Sequence, residues 1–235
     1  MKFLVFDIQA DWAHFKKPFT TMSPQTFGIP TGTAIIGMIS AIIGLDKKEY
    51  WKYFPLNSYL LSVRVLGEIK KTVVPINTLK TDSMKQFSRY KQHKRTNMEF
   101  LKDARFRIYF WWENRAAFQI LKEQLIGHKT YYTLSLGLAW NLADFKYVGL
   151  FHAEESFKRE WTTIHSVIRK DHAIEINFGL QKIFCSRIPV QMKAENDSRQ
   201  VLRYDEYIYD AEGKSIKVKV KSFLKLENGE NIIPF

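Results

Sequence analysis

The order in which apolar patterns follow one another through the first 152 residues constrains this chain most. Residues 2–9, KFLVFDIQ, are β-branched and aromatic enough for a buried strand. A turn-rich passage through Pro18, Pro24, Gly28 and Pro30 follows. A helix is then predicted from Thr31–Thr33 to Gly44, apolar on nearly every face and so packed on a sheet. A short amphipathic helix fits residues 47–53. Residues 58–67 read as a second strand with Leu61, Val63 and Val65 on one face. Residues 105–112, RFRIYFWW, read as a third, with Phe106, Ile108 and Phe110 opposite Arg105, Arg107 and Tyr109. A helix over 114–126 starts at Asn114 as N-cap and stops at Gly127. A strand over 145–152 closes the series.

That order, β-α-β-β-α-β, predicts an α+β chain with a ferredoxin-like, RNA-recognition-like arrangement over residues 1–155. About 35 residues, Lys70 to Ala104, are inserted between its second and third strands. Beyond residue 155 the patterns are strands only (161–168, 181–188, 200–209 and 215–223), which predicts a smaller β-rich lobe over 156–235.

Charge narrows the partner. The 235 residues carry a net charge of +12, so a polyanion is expected: nucleic acid, an acidic membrane face or an acidic protein. Residues 80–107 hold nine Lys or Arg against Asp82, Glu99 and Asp103, which is half of that excess. Phe87, Tyr90, Gln92, His93 and Asn97 lie among these cations. Cations neutralise phosphate while rings and amides meet bases, a mixture suited to single-stranded RNA or DNA. A merely solvated loop is the competing account.

Other chemistry is sparse. The single cysteine, Cys185, excludes an internal disulfide and sits in an apolar stretch that predicts burial. The histidines show no metal-ligand spacing, and no phosphate-binding glycine loop is present, so neither metal nor cofactor is expected. Acidic Asp7 and Asp11 interrupt the apolar start, and the uncharged stretch from Pro18 to Leu45 is broken by prolines. We therefore expect a cytoplasmic chain without a signal peptide or membrane partner. Lys16, Lys17, Arg89, Lys91, Lys94 and Arg95 are the candidate phosphate contacts, and His14, Phe15, Tyr90 and His93 the candidate base or sugar contacts. Arg105 and Arg107 serve either a groove or the fold. Tyr90, His93 and Lys94 could also supply the base, acid and cation of metal-independent RNA cleavage, since that reaction needs little more. A basic module that meets an acidic protein is the third class.

Four blocks of the sequence resemble one family. The segment 13–33, AHFKKPFTTMSPQTFGIPTGT, followed by AIIGMISAIIG, is similar to the N-terminal signature of the CRISPR-associated Cas-five family of RAMP proteins. Residues 95–110, RTNMEFLKDARFRIYF, resemble its middle block, 134–151, LSLGLAWNLADFKYVGLF, its LG…NLAD block, and Arg187-Ile188-Pro189 a late element. The resemblance is greatest to type I-B members. It implies a subunit of the type I Cascade surveillance complex, with the insertion as a β-hairpin thumb. Such a subunit grips the 5′ handle of the crRNA, caps a Cas-seven-type backbone and docks a Cas-eight-type large subunit, reaching target DNA through the complex. Type I-C members of the family cut the repeat themselves with Tyr, His and Lys side chains. The expectation here is a non-catalytic RNA-binding scaffold.

Overall fold

A computed structural model of the chain describes residues 1–55, 57–79, 93–157, 159–195 and 198–234. In chain order its elements are β1 (Lys2–Ala13), α1 (Gly32–Ile43), β2 (Tyr59–Val65), β3 (Lys70–Leu79), β4 (His93–Trp112), α2 (Arg115–Ile126) and β5 (Asp144–Ser156). Then follow β6 (Thr162–Ile164), β7 (Ile168–Arg169), β8 (Ala173–Ile176), β9 (Ile183–Glu195), β10 (Ser198–Asp210), β11 (Ile216–Val220), β12 (Phe223–Leu226) and β13 (Asn231–Ile232). The chain is thus mostly β with two α-helices among the described residues, an α+β fold.

Seven strands make the main sheet, in the order β13-β12-β5-β1-β4-β2, with β3 also paired to β4. β1 and its neighbours β4 and β5 are antiparallel throughout. Period-two alternation decides what each face meets. Leu4, Phe6, Ile8, Leu61, Val63, Phe106, Ile108 and Phe110 share one core with Ile35, Ile39 and Ile42 of α1 and Phe118, Leu121 and Leu125 of α2. Ile188, Tyr207 and Tyr209 of the β9–β10 hairpin join that core. This explains why α1 is apolar all round: sheet, second helix and hairpin all touch it. Its ends are closed locally. The Thr31 hydroxyl accepts from the Ala34 amide, and Gly44, at φ +82°, takes the left-handed turn that releases the chain.

The opposite face of the sheet is also covered. Phe3, Val5 and Tyr109 pack with Leu224, Leu226 and Ile232 of the C-terminal strands. Ser62 donates its hydroxyl hydrogen to the Ile233 carbonyl at 2.9 Å.

β4 has two halves with different partners. Its later half pairs with β2, from Val65 opposite Phe106 to Tyr59 opposite Trp112. Its earlier half pairs with β3, from Lys70 opposite Lys102 to Leu79 opposite His93. The handover falls at Asp103, whose φ of +52° is the left-handed conformation that a short polar side chain tolerates.

Several expectations shift. The strand expected over 105–112 begins at His93, because much of the insertion is ladder rather than loop. Residues 215–223 divide into β11 and β12, and 161–168 into two short strands. The helix expected over 47–53 is a single 3₁₀ turn, Tyr50–Tyr53. Cys185 is exposed rather than buried. It lies on β9, an outer strand that has β10 as its one ladder neighbour among the described residues.

Candidate RNA-binding face

β1 ends beside the part of the molecule where cations gather. Ala13 is paired with Leu101, and the chain then turns away into residues 14–27. That loop folds back on itself through a Lys16–Thr26 bridge. Its Phe15 amide donates to the Thr26 hydroxyl at 2.9 Å, and the Lys17 amide to the Gln25 carbonyl at 2.9 Å. Lys16 is left exposed and Lys17 half-buried.

β4 fastens the loop at one residue. The Glu99 amide donates to the Pro24 carbonyl at 2.9 Å. The Glu99 carbonyl accepts from His14 Nδ1 at 2.7 Å, and its carboxylate accepts from the Thr26 amide at 3.0 Å. Lys71, on β3, donates to the Thr26 carbonyl at 2.9 Å and to the Glu99 carboxylate at 3.1 Å. The Lys17 ammonium is held below its ordinary range, first by burial and then by the neighbouring charge of Lys71, with Glu99 opposing.

Alternation continues the face outward along the hairpin. Arg95 and His93 share the Glu99 side of β4, and both are exposed. At about 3.4 Å per residue, the row from Glu99 to His93 spans roughly 20 Å. Lys94 is exposed on the other side of the strand, so His93 and Lys94 do not converge. Arg89, Tyr90 and Lys91 lie outside the described residues.

His14 and Phe15 are corrected from surface contacts to buried supports. His14 is 2% exposed and Phe15 3%. His14 bonds β4 through Nδ1, its amide donates to the Leu136 carbonyl at 3.1 Å, and its ring lies 5.5 Å from that of Phe100. Phe15 packs edge-on against Phe106 in the core. Of the two roles open to Arg107, its partners are those of a residue of the fold. It forms two bonds with Asp7, at 2.7 and 3.0 Å, and a third with Glu230 at 3.0 Å. Arg105 is exposed but lines a different opening, a groove of about 410 Å³ bordered by Gln9, Asp11, Asp103, Leu142 and Asp144. At the α1 N-terminus, Thr31 is buried at 7% exposure and Gly32 lies against Pro189 and Tyr207.

Sequence reasoning missed Lys71, Thr26, Glu99 and Gly137. Gly137 had a signal, as the glycine of the LG…NLAD block. At φ +91° it faces the His14 backbone so closely that a Cβ there would stand 1.9 Å from the His14 carbonyl oxygen. Three blocks that carried the family resemblance, 13–33, 95–110 and 134–151, therefore meet at His14.

A sequence model of the family described as CRISPR-associated protein (Cas_Cas5) matches residues 3–137. The chain belongs to the Cas5 family. Its backbone superposes with a chain from a structure described as "CRISPR RNA-guided surveillance complex" at TM-score 0.58 and 12% identity, covering 92% of this chain and 91% of that one. A CRISPR protein from Archaeoglobus fulgidus gives TM-score 0.58 at 13% identity, over 98% of this chain and 97% of the other. These two similarities carry the fold. No curated protein sequence matches this chain. Among the described residues of this Cas5 chain, no helix is long and apolar enough to cross a membrane, and no cluster of His, Cys, Asp and Glu could hold a metal ion.

Proposed function

We propose that this chain is a non-catalytic crRNA-binding subunit of a type I-B CRISPR surveillance complex, working in the cytoplasm. It grips the 5′ handle, ends a filament of Cas-seven-type subunits and docks a Cas-eight-type large subunit, meeting target DNA through the assembly. The observation that carries this reading is the gathering of basic side chains on the loop 14–27 and the adjoining hairpin: Lys16, Lys17, Lys71 and Arg95, with the His93 ring beyond them. It belongs to a Cas5-family chain with a net charge of +12. Single-stranded RNA suits such a face, because its phosphates meet the cations while its bases stay free to stack.

The strand order β5-β1-β4-β2, with both helices in the core on one side of the sheet, supports a ferredoxin-like arrangement with the β3–β4 hairpin as its thumb. We keep 1–155 and 156–235 as its two parts. The covered outer face supports RNA lying along the loop and hairpin instead of across the sheet, the surface that RNA-recognition domains use. The placement of His93 and Lys94 on opposite sides of β4 favours the non-catalytic reading over a metal-independent endoribonuclease.

The test is a gel with 5′-labelled repeat RNA, a scrambled control and EDTA throughout. The expected result is an intact, shifted repeat, bound more tightly than the scramble. Replacing Lys17 and Lys71 by Met should flatten the salt dependence by about 0.7 in log–log slope for each phosphate no longer neutralised. A discrete cleavage product that His93→Ala abolishes would overturn the reading in favour of a processing ribonuclease. Weak binding without preference for the repeat would leave a basic protein-interaction module.

A further inference from the structure

A carboxylate among phosphate-binding cations should weaken RNA binding, and Glu99 stands in their midst. Yet Glu99 turns its backbone and its side chain alike on the basic loop and on Lys71. Its amide holds Pro24, its carbonyl holds His14, and its carboxylate holds both the Thr26 amide and the Lys71 ammonium. Lys71 in turn donates to the Thr26 carbonyl, so Glu99 and Lys71 clamp Thr26 from its two backbone ends. Without the carboxylate, Lys17 and Lys71 would repel each other with no opposite charge between them, and the amide of buried Thr26 would lose its acceptor. The loop would then be free to carry its cations apart.

We propose that Glu99 is the positioning residue of this face: it sets the loop 14–27 so that Lys17 and Lys71 stand ready as one preformed cradle for the phosphates of single-stranded RNA. The inference rests on the RNA-binding reading of the same face. It makes a prediction opposite in sign to bulk electrostatics. Removing Glu99 raises the net charge, so a charge that acts only through space predicts tighter RNA binding for Glu99→Ala and Glu99→Gln alike. A positioning residue predicts weaker binding, because ordering the loop must then be done by the RNA itself.

The experiment measures Kd for 5′-labelled repeat RNA across a salt series, using the full chain and both variants, with thermal unfolding of each as a control. Glu99→Ala should bind on the order of tenfold more weakly, as expected when charge-assisted hydrogen bonds are removed. Its salt slope should be shallower than the wild-type slope despite the extra positive charge. Glu99→Gln can still accept from the Thr26 amide but lacks the charged hold on Lys71, so its Kd should fall between the two. Tighter binding by either variant overturns the proposal. Should Glu99→Ala fail to fold, Glu99→Gln decides by the same sign. Wild-type protein that does not bind the repeat would instead overturn the RNA-binding reading, before the variants are compared.

Discussion

At the scale of single residues, His14 shows how a binding motif can be mostly scaffold. Its position beside Lys16 and Lys17 suggested contact with a base, because nothing in a linear sequence separates a ring facing solvent from one turned inward. The structure turns it inward, where Nδ1 must carry the hydrogen to reach the Glu99 carbonyl. Nε2 is buried without a hydrogen-bond partner among the described residues. His14, His165 and His172 are all held below the ordinary value of 6.5, in each case by burial first. The consequence for stability has a definite sign. Below pH 6.5 the unfolded chain takes up protons that these folded histidines refuse, so stability falls as pH drops from 6.5 toward their depressed folded values. Thermal unfolding from pH 8 to 5 should show that decline, and His14→Asn should make it shallower. A His14→Asn profile parallel to wild type would remove His14 from the account.

Among the elements, the turn between β12 and β13 adds a charged tie to the pairing and packing that hold the C-terminal strands on the sheet. Glu230 pairs with Arg64 of β2 and with Arg107 of β4, and its side chain is 9% exposed. Burial pushes its carboxyl up, but the Asn228 amide and both guanidiniums outweigh that and hold it below the usual range. Glu230→Ala would leave two half-buried guanidiniums short of a partner, at a cost of about 2–3 kcal/mol in urea unfolding. Glu212, at the surface between Lys182 and Lys214, should give a nearly unchanged midpoint when replaced by Ala. Equal midpoints for both variants would show the Glu230 network to be idle. Elements with strong local signals were legible in the sequence: α2 begins and ends where Asn114 and Gly127 indicate. What was not legible depended on distant partners. The first five residues of β4, His93 to Asn97, are polar and basic, and they become a strand because β3 pairs beside them. The pairing of Arg107 with Asp7 spans 100 positions, beyond the reach of any local pattern.

For the whole molecule, the later half of the chain completes the core of the first. Ile188, Tyr207 and Tyr209 cover α1, and β12 extends the sheet from β5. A fragment of residues 1–155 should therefore bind a hydrophobic dye and lack a cooperative melt. A sharp two-state transition in that fragment would establish the division near 155 as one between independently folding domains. The same view of the molecule gives β4 a mechanical meaning. It is a single rod of 20 residues whose inner half is built into the sheet and whose outer half reaches along the basic hairpin. Asp103 is the wrist between them: its left-handed backbone sets the direction in which the outer half leaves the sheet. Its carboxylate also faces the Lys70 ammonium of β3 at 3.7 Å, so a substitution at Asp103 would change the aim of the grip and its charge together.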